Sequence, residues 1–227
     1  MIAMGQKETH PNTIVIEGNV GAGKSSLLGR LDGAILTGVG NADSSPPRNV
    51  ATFQEPVHFW SQLLVLTEGD RKRWSFTLQM AVIAGLLDRE KTISAFCTEA
   101  SKNKVVVVRE RDVHSGYAFV EVGKQNGNLT VLEYELAKSM IASSEQLLPD
   151  VTIYLYCPPK ICLDRIKFRG RAGEQLISLS YLEDMDAALT ASIASRSSQT
   201  KCVVVNTETL SPDEVLSAVV GAIEAAL

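Results

Sequence analysis

The sequence lacks any long apolar run. Its most apolar stretches, residues 81–87 and 105–108, are far shorter than a bilayer span requires, so no membrane-crossing helix is expected. It also lacks an excess of positive charge. Twenty-two basic residues face 26 acidic ones for a net charge of −4, which leaves no strongly basic surface for a nucleic-acid backbone. Neither nucleic acid nor a membrane is therefore expected as a partner. Cysteine and histidine are scarce. Cys97, Cys157, Cys162 and Cys202 form no C-x-x-C pair, and His10, His58 and His114 lie far from them. No zinc ligand set is visible, a disulfide framework would be sparse, and the thiols read as reduced and mostly buried. Residues 1–12 carry no apolar run and no arginine, which excludes a secretory or Arg-rich transit signal there and leaves a cytoplasmic or nuclear location as the expectation.

What is present is an ordinary globular composition. Of 227 residues, 45% are hydrophobic and 21% charged, enough to bury a sizeable core. Short β-branched runs alternate with longer amphipathic stretches, the pattern of an α/β protein with a mainly parallel sheet. Strands are expected at 13–17, 50–54, 105–108, 151–156 and 201–205. Helices are expected at 24–31, from Pro56, and at 74–100, 130–147, 159–168, 181–197 and 212–227. Residues 33–48 read as a loop toward their end, where Ser44, Ser45, Pro46 and Pro47 break regular structure. With no repeat and no linker, residues 1–227 read as one domain.

The strongest signal is Gly18-Asn19-Val20-Gly21-Ala22-Gly23-Lys24-Ser25, followed by Ser26. It fits G-x-x-x-x-G-K-[ST] between an expected strand and an expected helix. Glycines there let successive backbone N–H groups turn inward around a nucleotide's phosphates, and the helix N-terminus adds positive potential. Lys24 reaches toward the β- and γ-phosphates, and the Ser25 hydroxyl suits Mg²⁺. A glycine-rich turn without a ligand would need this full match to arise by chance. A GTPase would add D-x-x-G and N-K-x-D. Neither occurs, since Asn103-Lys104 lacks the aspartate.

A second constellation follows the strands. Glu55 stands at the carboxyl end of the second strand, where α/β proteins bind ligands, although with Pro56 next it could equally cap a helix. Glu110, in the run Arg109-Glu110-Arg111-Asp112, sits at another strand end, suited to Mg²⁺ or to a solvated strand exit. Arg165, Arg169 and Arg171 form a local basic excess in an acidic chain. Forked guanidiniums there suit phosphoryl oxygens, and a basic solvated face is the competing account.

Together IEGNVGAGKSS, EPVHFW, RWSFTLQ, the E-R pair after the valine strand, and CLDRIKFRGRAGEQ followed by YLEDM resemble, in order, the deoxyribonucleoside kinase family. That family includes deoxycytidine kinases and cellular and viral thymidine kinases. The resemblance implies a P-loop kinase fold, ATP and Mg²⁺, transfer of the γ-phosphoryl to a deoxynucleoside 5′-hydroxyl, and a homodimer. Carried over by position, Glu55 is the base, Glu110 the acidic partner of Mg²⁺, and Arg111 the arginine near the 5′-hydroxyl. Arg165, Arg169 and Arg171 belong to a short lid at about 165–175, and Glu174 to the sugar 3′-hydroxyl. Trp60, Gln79 and Phe119 form the base pocket, where Gln79 can present a donor and an acceptor to either pyrimidine. For Trp60 and Phe119 core packing is the alternative.

Deoxycytidine-preferring members pair an arginine with an aspartate where this chain has Leu86 and, approximately, Gly116. Those small or apolar groups leave room for the thymine methyl, so thymidine is the expected substrate, with deoxycytidine a second. Three departures stand out: Asp112 replaces a serine, the segment 110–119 is one residue short, and Glu68 replaces the tyrosine for the 3′-hydroxyl. Competing readings are a nucleoside monophosphate kinase, which would need a basic pocket in place of Glu55, and a catalytically silent nucleotide-binding module.

Overall fold

The valine run at 105–108 has no polar face, and such a strand is stable only when covered on both sides. The computed structural model, which describes residues 11–36, 47–100, 105–144 and 148–227, places it so. β1 (Asn12–Gly18), β3 (Arg48–Phe53), β4 (Val105–Glu110), β5 (Val151–Tyr156) and β6 (Lys201–Asn206) are parallel. The two-residue β2 (Ile35–Leu36) adds an antiparallel edge. The order across the sheet is β2-β3-β4-β1-β5-β6, with Ile14, Val15, Ile16 and Val106–Val108 inaccessible to solvent.

Eight helices flank this sheet among the described residues: α1 (Lys24–Leu31), α2 (Ser61–Gly69), α3 (Arg71–Glu99), α4 (Gly116–Gln125), α5 (Val131–Ala142), α6 (Pro159–Arg169), α7 (Leu179–Arg196) and α8 (Pro212–Ala226). Leu27, Leu28 and Leu31 of α1 and Val219 and Ile223 of α8 pack on Ile14, Ile16, Val106 and Val108. Elsewhere α3, α4 and α5 share a core through Ile83, Leu86, Val120, Ala137 and Ile141, and α4 meets α7 through Ala118, Val122, Met185 and Leu189. No helix among the described residues is long and apolar enough to cross a membrane.

The α/β class and mainly parallel sheet agree with expectation, while several boundaries differ. Pro56 does not open a helix. A 3₁₀ turn (Val57–Phe59) intervenes and α2 starts at Ser61. α3 begins at Arg71 rather than Trp74, because the Asp70 carboxylate accepts the Arg73 N–H at 3.0 Å and caps it. The two-residue β2 lies within the expected loop at 33–48, of which Ser44, Ser45 and Pro46 fall outside the described residues. α5 stops at Ala142, and residues 145–147 of the expected helix lie outside the described residues. α4 has no counterpart in the sequence reading. It is only ten residues long and carries Gly116 and Gly123, which lower its helix propensity, although Val120 packs toward α3 and α5 and Ala118 and Val122 toward α7.

Candidate active site

The carboxyl ends of β1, β3 and β4 converge on one cavity of about 240 Å³. The turn from β1 to α1 forms its floor. Gly21 adopts φ +84°, and a Cβ there would lie 2.6 Å from the Cys162 carbonyl oxygen, so only glycine lets this loop pass under α6. Asn19 fixes the turn by donating to the Leu182 carbonyl at 2.8 Å and accepting the Val20 N–H at 2.8 Å. Lys24 folds back over the loop, its Nζ donating to the Gly18 and Asn19 carbonyls at 3.0 and 2.9 Å. Burial, reinforced by the Arg111 charge, lowers its pKa to about 8 against the opposing pull of Glu110, Glu17 and Glu55. The Ser25 hydroxyl donates to Glu110 Oε1 at 2.9 Å, which joins the loop to the end of β4.

Glu55 enters from the end of β3. Its backbone N–H lies 3.4 Å from Glu110 Oε2, and its Oε2 stands 3.5 Å from Arg111 Nε. Burial raises the Glu55 pKa, with Glu110 adding to the rise and Arg111 opposing it. Arg111 is the only non-glycine residue with positive φ (57°) among the described residues. Its N–H bonds the Ile16 carbonyl at 3.0 Å. Its guanidinium donates to Glu17 Oε1 at 2.7 Å and to the Gly18 carbonyl at 3.0 Å, and it lies 4.8 Å from the centre of the Phe119 ring. The opposite charges thus sit together without a tight pairing of Glu55. A carboxylate so placed can accept a proton from a hydroxyl, and the loop N–H groups and cations beside it can hold phosphoryl oxygens.

The expected residues fall on this cavity with few exceptions. Val20, Gly21, Gly23, Lys24, Ser25, Ser26, Glu55, Trp60, Gln79, Leu86, Glu110, Arg111, Gly116, Phe119, Arg169, Arg171 and Glu174 all line it. Gly18, Asn19 and Ala22 support it from behind. Arg165 does not join Arg169 and Arg171. It lies beneath the loop, directed at the Ala22 and Thr207 carbonyls and 3.3 Å from Cys157 Sγ. Arg169 and Arg171 instead both meet Glu174, at 2.7 and 3.3 Å. Trp60 packs its ring against Gly85, so it is at once core and cavity wall. Asp112 turns away from the cavity to pair with Arg196.

Three residues escaped the sequence reading. Glu17 accepts hydrogen bonds from Gly18 N–H, Arg111 and Ser115 Oγ. Arg89 reaches from α3 to the Gln54, Glu110 and Arg111 carbonyls and so ties the ends of β3 and β4 together. Ser115 also returns its N–H to Asp112 in a capping box. The available signal was a charge inside an otherwise apolar strand (Glu17) or on the inner face of a helix (Arg89), which needs a partner to be buried.

Comparison with known proteins agrees with this geometry. A family model described as deoxynucleoside kinase matches residues 14–224. A putative deoxynucleoside kinase of Frog virus 3 (isolate Goorha) is 31% identical over 180 residues, covering 79% of this chain and 82% of that protein. Mitochondrial thymidine kinase 2 of Macaca fascicularis is 29% identical over 181 residues, which take in 76% of this chain and 60% of that longer relative. In fold, the chain is similar to the solved structure of deoxyadenosine kinase from M. mycoides with the products dCMP and a flexible dCDP bound. The TM-score is 0.75 at 21% identity, over 94% of this chain and 99% of the other.

Proposed function

The chain belongs to the deoxynucleoside kinase family, and from that premise we propose that it transfers the γ-phosphoryl of ATP to the 5′-hydroxyl of thymidine, with deoxycytidine a second acceptor. The observation that carries this reading is Glu55 on the cavity wall, 3.5 Å from Arg111 and beside the Lys24 loop. A carboxylate at that place repels an acceptor that already carries a phosphate and suits a hydroxyl, which argues against a nucleoside monophosphate kinase.

Glu55 takes the 5′-hydroxyl proton as that oxygen attacks the γ-phosphorus. The bond from phosphorus to the β,γ-bridging oxygen breaks, and ADP leaves with that oxygen. Base placement contributes about 10²–10⁴ in rate, so orientation and charge neutralisation supply the rest. The loop N–H groups and Lys24 hold the β- and γ-phosphates, and Arg111 faces the transferring group. Arg169 and Arg171 serve as lid residues that exchange Glu174 for phosphoryl oxygens. Ser25 and Glu110 are hard oxygen donors already in contact, and they fit Mg²⁺, which when bound neutralises phosphate charge. Trp60 and Phe119 enclose the base and Gln79 reads its edge. Leu86 and Gly116 leave space for the thymine methyl, while Glu174 accepts from the sugar 3′-hydroxyl.

Incubation with radiolabelled ATP and each of the four deoxynucleosides tests this. We expect thymidine to give the highest kcat/KM. A deoxycytidine value about tenfold above it, equivalent to one well-placed polar contact, overturns the preference. Failure with all four overturns the activity.

A further inference from the structure

The corner between α2 and α3 makes contacts that the mechanism above does not use. There Glu68, near the end of α2, and Arg71, at the start of α3, bracket Asp70, which caps both helices. Glu68 Oε1 accepts the Leu176 N–H at 3.1 Å, and Arg71 Nη2 donates to the Leu176 carbonyl at 2.7 Å. One residue of the 170–177 segment thus has both backbone polar groups held by two side chains from one corner. Three residues earlier the same segment presses on α2. Gly173 has φ +84°, and a Cβ there would lie 2.5 Å from Leu64 Cβ and 2.9 Å from the Val65 nitrogen. Between these two anchor points lies Glu174, which gathers Arg169 and Arg171.

We propose that Glu68 and Arg71 are positioning residues that seat the 170–177 segment on the α2–α3 corner, and so fix where Arg169, Arg171 and Glu174 stand over the cavity. By sequence position Glu68 invites a role as a ligand of the sugar, and it and Arg71 both border the cavity, but Glu68 Oε1 is engaged by a backbone N–H of the opposite wall. An acceptor and a cationic donor thus read the two ends of one residue. The activity arm of this proposal rests on the kinase reading, and the proteolysis arm does not.

Limited trypsin digestion of the full chain without ligands, with cleavage after Arg169 and Arg171 followed by mass spectrometry, tests the seat directly. Glu68→Ala and Arg71→Ala should each speed that cleavage about fivefold, the extra opening that follows loss of one net hydrogen bond. Glu68→Gln keeps an oxygen acceptor and should remain protected. In assays with Mg-ATP and thymidine, the two alanine variants should form more ADP per thymidine monophosphate, because a poorly seated lid admits water. Unchanged cleavage with a raised thymidine KM would make Glu68 and Arg71 substrate ligands and overturn the proposal. If either alanine variant fails to fold, Gly173→Ala lifts the segment from its own side and should show the same faster cleavage. Protection equal to wild type in that variant also overturns the proposal. A wild-type chain that phosphorylates no nucleoside defeats the kinase reading, while the cleavage rates still decide the seat.

Discussion

Arg111, just past the end of β4, meets Glu17 of the neighbouring β1, with 2.7 Å between Nη1 and Oε1 and both side chains at least 97% removed from solvent. The pairing is what makes the left-handed backbone of Arg111 tolerable. With its N–H on Ile16 and its guanidinium on Glu17 and Gly18, the residue is held at four points counting the Glu55 contact. Removing the Glu17 carboxylate leaves the buried Arg111 cation with only the looser Glu55 contact and the more distant Glu110 charge. We expect Glu17→Ala to lower stability by about 3 kcal/mol, read from the urea midpoint at constant m value. A loss under about 1 kcal/mol would mean that Arg111 finds solvent or another partner.

Glu55→Gln separates chemistry from binding. The amide keeps the shape but cannot take a proton, so kcat should fall by two to four decades (about 10²–10⁴) while nucleotide affinity, measured by calorimetry, stays near wild type. The wild-type pH profile carries a second check. As the proposed base Glu55 must be ionised, and burial raises its pKa above the ordinary 4.5. The acidic limb of kcat/KM for the nucleoside should therefore lie above the usual carboxylate range, with activity lost as pH falls through it. A limb at or below that range would remove Glu55 from the base role.

How much of this was legible in the sequence follows from the range over which each feature is encoded. The loop at 18–25 is a contiguous motif whose glycines answer local backbone demands, so it reads directly, as do the valine strand and the capped starts of α5 and α8. The Glu17–Arg111 and Asp112–Arg196 pairs join residues 94 and 84 positions apart. Nothing in a single sequence states that a strand-end arginine will meet a particular carboxylate. The grouping of Arg165 with Arg169 failed for a related reason. Four positions apart in α6, they share a face, but that face runs along the loop, and only its far end reaches the cavity. α4 was missed because it is short and opens on a glycine with a second near its end, so its propensity is low even though Glu121, Lys124 and Gln125 share one side.

Gly85 predicts a specific change in substrate binding. It lies inside α3, where alanine would ordinarily favour the helix by up to about 1 kcal/mol. Here a Cβ would come within 2.8 Å of Trp60 Cζ3 and 3.4 Å of Phe59 Cδ1. Trp60 must then shift into the space it now borders. Gly85→Ala should raise the nucleoside KM about tenfold or more with the ATP KM little altered, since the phosphate loop is remote from the contact. An equal rise in both constants would point to a general loosening instead.

Asp112 offers a test through acid stability. Burial alone would raise its pKa, but the charges of Arg196 and Arg109 outweigh that and hold it below the ordinary 3.8. A carboxyl depressed in the folded state stabilises the fold at pH values above its unfolded pKa. That contribution fades as pH falls below about 4 and through the folded value. Asp112→Asn removes the charge while keeping the shape and leaves Arg196 buried without its counter-ion. At pH 7 the variant should be less stable by about 3 kcal/mol. As pH falls below about 4, the unfolded chain takes up this proton first and the folded carboxyl only below its own depressed value, so the two unfolding free energies should converge over that range. Denaturant titrations of both proteins at pH 7, 5, 4 and 3 measure the convergence. A difference that stays constant down to pH 3 would place the loss in altered packing at the 3₁₀ turn that Asp112 caps, rather than in the ion pair.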